Sequence, residues 1–93
     1  MIDEEIIEVG YVLHFFSKIN VAVIKLSTPL SIGDRILVKG PETDFEQIVE
    51  SMQIDYKNLD KAEKGQSIGL KMDQHARERD VIYKKIWLNK YSY

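Results

Sequence analysis

The sequence predicts an all-β fold: a small six-stranded antiparallel β-barrel. Three observations carry this. Ile and Val together number 19 among 93 residues, while Ala numbers 3; branched side chains suit a pleated surface and lose rotamer freedom in a helix. No segment repeats apolar residues at helical spacing over three turns. Short apolar runs instead recur at regular intervals with turn residues between them. The length allows one domain, 1–93, with the barrel core at about 8–85 and an aromatic C-terminal tail at 86–93. So small a domain buries roughly 60–65% of its unfolded surface. A closed sheet would help by removing exposed edges.

The elements follow in order. Val9–Phe16 and Val21–Leu26 are apolar runs separated by Ser17-Lys18-Ile19-Asn20, the pattern of a β-hairpin. Pro29 and Gly33 punctuate the next stretch as an ordered loop. Arg35–Lys39 alternates, with Ile36 and Val38 inward and Arg35 and Lys39 toward water. Gly40-Pro41-Glu42-Thr43-Asp44 is a turn by composition. Phe45–Ile54 places Phe45, Gln47 and Val49 on one side, then slips by one residue, which predicts a bulge near Glu50-Ser51. Asp55–Glu63 is polar and reads as a loop or one helical turn. Ser67–Met72 is a strand with Ile68, Leu70 and Met72 inward. Asp73–Asp80 is a charged loop or short helical turn, and Val81–Lys84 is the last strand.

Composition excludes several functions. Thirteen basic and 15 acidic residues leave a net charge of −2, so bulk charge does not mark a nucleic-acid protein. There is no cysteine for a disulfide, a thiolate metal site or a thiol nucleophile. No apolar run approaches the roughly 20 residues of a membrane-spanning helix. The first eight residues carry Asp3, Glu4, Glu5 and Glu8, the reverse of a basic signal-peptide start. The expectation is a soluble, cytoplasmic protein with no membrane partner. No spacing pairs a serine with His14 or His75 as a nucleophile and base, so no catalytic residue and no enzyme activity are expected. Asp44, Glu46 and Glu50 read as solvated strand carboxylates rather than a metal site, and no cofactor is expected.

Gly10-Tyr11-Val12, Leu30-Ser31-Ile32-Gly33-Asp34-Arg35-Ile36, Ala62-Glu63-Lys64-Gly65 and Gly69-Leu70-Lys71 fall in one order along the chain. This order resembles the second domain of translational GTPases such as elongation factor Tu. The longer words Thr43-Asp44-Phe45-Glu46-Gln47 and Glu50-Ser51-Met52-Gln53-Ile54, with His14–Ile19, are similar to stand-alone translation-factor-like proteins. They are also similar to the C-terminal barrel of collagenase-like peptidase-family proteins. The resemblance implies a barrel of the translation-factor domain 2 type. It does not bring nucleotide binding: Lys64-Gly65-Gln66-Ser67 inverts the lysine and glycine of a phosphate loop and lacks its upstream glycine, so no GTP is expected. Gly33 and Gly65 are expected in turns closed to side-chain-bearing residues, with Asp34 accepting from turn amides.

Two readings of function follow. The first is a non-catalytic module contacting tRNA, ribosomal RNA or the translation machinery. Its candidate contacts are Lys18, Lys25, Arg35, Lys39 and Lys71, with His14 and Phe16 stacking on bases. Each also has a plain role, as a solvated strand lysine, a strand histidine or a packed aromatic. The alternative is a protein–protein adaptor, an accessory subunit for a peptidase-family-like enzyme, or a self-associating module. Its candidate contacts are Trp87, Tyr91 and Tyr93. The geometry of the charges separates the two: convergence of the cations on one face with Phe15 or Phe16 favours RNA.

Overall fold

A computed structural model describes residues 2–89, with side chains described over 4–87. Ten strands in chain order make up the fold: β1 (Ile2–Phe16), β2 (Val21–Leu26), β3 (Leu30–Ser31), β4 (Arg35–Gly40), β5 (Thr43–Ile48), β6 (Met52–Ile54), β7 (Lys57–Leu59), β8 (Lys61–Ala62), β9 (Ser67–Lys71) and β10 (Val81–Asn89). Eight form one antiparallel sheet in the order β5-β4-β10-β1-β2-β9-β6-β7; β3 and β8 pair separately. The all-β, antiparallel expectation holds.

The closed six-stranded barrel does not. Among the described residues no backbone ladder joins the end strands β5 and β7. The covalent chain itself carries the curl. The slip read at Glu50-Ser51 is a break at which the chain leaves β4 as partner in β5 and takes up β9 in β6. Val49, fully buried, is held there by its amide donating to Asp34 O and its carbonyl accepting from Gly33 N, both at 2.8 Å. The buried Gln47 side chain bridges the remaining gap. Its amide donates to Lys71 O (2.9 Å) and its carbonyl accepts from Asp73 N (2.8 Å). A side chain thus does between β5 and the end of β9 what a ladder would do in a closed barrel.

Alternation sets the core. Ala22, Ile24 and Leu26 of β2, Ile36 and Val38 of β4, Ile68 and Leu70 of β9 and Ile82 of β10 pack in one buried cluster with Phe45, Val49, Met52 and Met72. Two glycines mark close approaches. A Cβ on Gly10 would lie 2.0 Å from Lys25 O, and one on Gly40 would lie 1.9 Å from Asp80 Oδ1. Gly33 (φ 93°) and Gly65 (φ 91°) sit in the left-handed region, as expected, and Asp34 Oδ2 accepts from Ser31 N at 2.9 Å.

Both ends of the chain differ from expectation. β1 begins seven residues before Val9, and β10 runs beyond Lys84. The stretch expected as an aromatic tail is strand as far as Asn89; Tyr91 and Tyr93 lie outside the described residues. β4 pairs β10 only up to Lys85 and β2 pairs β1 only from Gly10. The first residues of β1 and the last of β10 therefore form a two-stranded ribbon extending past the body. The polar stretch 55–63, expected as a loop or helical turn, is a turn followed by β7 and β8.

Candidate functional site

Among the described residues an apolar concavity lies on the outside of the sheet between two hairpin tips. Outward positions on β2 and β9 are Val21 and Gly69, and the missing side chain at Gly69 leaves a trough. One wall is the β1–β2 turn, with Phe16 at the end of β1 and Ile19 in the turn. The other is the β6–β7 turn, with Asp55 and Tyr56. Gln53 completes a groove of about 420 Å³.

The local sequence explains both walls. The β1–β2 connection spans four residues between the paired Phe16 and Val21, and Asn20 takes φ 53° to close it, a conformation Asn tolerates better than most residues. Adjacent residues on a strand face opposite ways. Phe15 therefore packs on the core and stacks edge-on with His75 at 4.7 Å, while Phe16 points out. The β6–β7 hairpin has a two-residue turn, Asp55-Tyr56, both at positive φ (51° and 62°). That is the mirror-image turn which suits the strand twist, normally built with Asn-Gly or Asp-Gly. Here a tyrosine takes the glycine position and is 96% exposed. The fold holds a bulky aromatic in an unfavourable backbone state without burying it.

The expected RNA contacts do not converge. Arg35 and Lys39 lie on β4, on the other half of the sheet. Arg35 pairs with Glu46 at 2.7 Å and Lys39 with Asp44. Glu46 also takes Lys85 at 2.9 Å. The Arg35 guanidinium and then the Lys85 ammonium hold the Glu46 carboxyl below the usual carboxylate range. Lys25 donates to Gly65 O at 2.7 Å, well away from both. Only Lys18, Lys71, His14 and Phe16 lie near the groove end. Lys71 is anchored to Ile19 O (2.8 Å), and His14 faces Glu78 (3.4 Å) and stacks edge-on with Phe16 at 4.4 Å. Trp87 is 61% exposed, on the ribbon rather than in a tail. Tyr56 and Ile19 were not singled out from sequence. The Asp-Tyr pair gave no turn signal, because the glycine that normally gives it is absent.

Comparisons with known proteins give this surface a context. No protein-family model matches the chain. The chain is 44% identical over 78 residues to an uncharacterized protease of Methanocaldococcus jannaschii, a match covering 83% of this chain and 19% of that protein. It is 35% identical over 80 residues to a collagenase of Porphyromonas gingivalis, covering 84% of this chain and 19% of the collagenase. The chain spans about a fifth of the length of the curated relatives it matches. The C-terminal domain of a Geobacillus thermoleovorans protein described as a U32 peptidase superposes with a TM-score of 0.77. That match covers 82% of this chain and 89% of the domain at 23% identity, a likeness of fold.

The homologues are thus peptidase- and collagenase-named proteins, which bears out the collagenase-like half of the resemblance. The other half is corrected. These relatives replace the stand-alone translation factor and the elongation factor Tu likeness, and the reading of a module that contacts RNA or the translation machinery does not stand. The assignment of Lys18, Lys25, Arg35, Lys39, Lys71, His14 and Phe16 as RNA contacts loses its basis with it.

Proposed function

We propose that this chain is a non-catalytic protein-binding module, an accessory unit of a peptidase-family enzyme, with the groove between Phe16 and Tyr56 as its recognition surface. One observation carries the reading: 83% of the chain matches a protease of which that match is only 19%. Such a segment corresponds to one part of a larger protein rather than to a whole enzyme. Function on this reading resides in a surface, and exposed aromatics at the edge of an apolar trough are the usual anchors of protein recognition.

The test is affinity capture with a tagged chain from its own cells, with identification of bound polypeptides and measurement of bound RNA. The expected result is enrichment of a collagenase- or peptidase-family polypeptide, with RNA at background. Enrichment of RNA without any such polypeptide would overturn the proposal.

A further inference from the structure

The ribbon is the part of this fold that its own sheet leaves uncovered. β2 accompanies β1 only from Gly10, and β4 accompanies β10 only up to Lys85. Past those points neither edge of the ribbon has a neighbouring strand among the described residues, and a lone two-stranded ribbon is marginal in water. Cross-strand pairing sorts its side chains. Glu4 lies opposite Trp87, Ile6 opposite Lys85 and Glu8 opposite Tyr83, so these six share one face. Arg35 and Ile48 continue the Ile6–Lys85 row across β4 and β5. Ile6 (53%), Trp87 and Ile48 are exposed. The charges between them are met within the chain: Glu46 takes Arg35 at 2.7 Å and Lys85 at 2.9 Å, and Lys85 also lies 3.9 Å from Glu4. On this face of the ribbon only Glu8 has no ion pair among the described residues. The counterpart that fits is an apolar surface, to cover Trp87 and Ile6, with one cation to meet Glu8.

Position along the chain says where such a surface lies. In the Geobacillus protein the same fold is the C-terminal domain. The rest of that protein precedes it, and the chain enters the domain at its first strand. The first strand here is β1, and its start is the ribbon. We infer that this face of the ribbon docks on the body of a peptidase-family polypeptide, at the place where the Geobacillus domain is joined to the rest of its chain. The inference rests on the accessory-unit reading and goes beyond it by assigning the surface that meets the enzyme. Twelve positions of β1, roughly 40 Å of strand, separate Glu4 from Phe16. Ribbon and groove thus lie at opposite ends of β1, and both can be engaged at once.

The test uses the peptidase-family polypeptide recovered by the capture above, purified and immobilised, with the intact chain titrated onto it. The variant Ile6→Thr/Trp87→Thr removes the apolar anchors. Both positions are exposed, and threonine suits a strand. It should bind about tenfold or more weaker than wild type. A second measurement leaves those anchors in place. The sequence has no cysteine, so Glu8→Cys and Glu42→Cys each carry a single photocrosslinker, one on the ribbon and one at the β4–β5 turn. Crosslinks to the polypeptide are expected from position 8 and not from position 42. Wild-type affinity in the double variant overturns the inference, and so do crosslinks from position 42 without any from position 8. Either result leaves the accessory-unit reading standing. A capture that recovers no peptidase-family polypeptide ends that reading, and this inference with it.

Discussion

The β4–β5 and β6–β7 hairpins are both closed by two residues, yet they are built for different ends. In β4–β5 the turn is Pro41-Glu42, between the paired Gly40 and Thr43. Phe45 and Gln47 point inward, and the outward charges are matched, Arg35 and Lys85 on Glu46 and Lys39 on Asp44. Nearly every side chain there has a partner within the chain. In β6–β7 the turn is Asp55-Tyr56 at positive φ, Lys57 has no ion pair among the described residues, and Tyr56 projects into solvent. A strained backbone around an exposed aromatic points to use elsewhere. The first hairpin holds the sheet together; the second holds a surface open.

Breaking the inward side of β5 should have the largest effect. Phe45→Ala removes a ring from the buried cluster and should lower unfolding free energy by about 3–5 kcal/mol, read from urea denaturation. Gln47→Ala comes next. It leaves Lys71 O and Asp73 N without the partners that bridge the open seam, at about 1–3 kcal/mol, and should raise amide exchange at Asp73. Tyr56→Asn should do the opposite on the other hairpin. Relieving the left-handed tyrosine should stabilise the fold by about 1 kcal/mol while weakening binding in the groove. A stability loss there would mean that Tyr56 supports the fold.

The smallest effect belongs to the exposed charges. The Glu46 carboxyl is depressed by Arg35 and Lys85. Its contribution is therefore fully present above the ordinary carboxylate pKa and is lost as pH falls through the lowered value. Glu46→Gln should melt slightly below wild type near pH 7, with the two curves converging as pH falls through the lowered Glu46 value. Parallel melting curves across that range would show the ion pairs contribute nothing.

The sequence disclosed the inside better than the outside. The apolar run at 21–26 and the alternation in 35–39 and 67–72 placed the core strands, and the slip after Val49 marked the corner where β5 hands over to β6. It could not show that the sheet stays open, because ladder closure depends on the relative placement of distant strands. Gln47 looked like a polar residue on an apolar face; that its amide spans the seam follows only from the fold. The ribbon was hidden by Glu4 and Glu5, which read as a polar terminus rather than as a strand whose side chains face water. The cations read as one set are spread over both halves of the sheet, since sequence proximity to strands says nothing about which face or half they share.

Amide hydrogen exchange on the free and partner-bound chain tests most directly whether the groove between the two tips is where this protein works. Protection is expected to rise at 16–21 and 53–59 and to stay unchanged at 40–44. Protection gained at the β4–β5 hairpin, with the two groove walls unaltered, would contradict it.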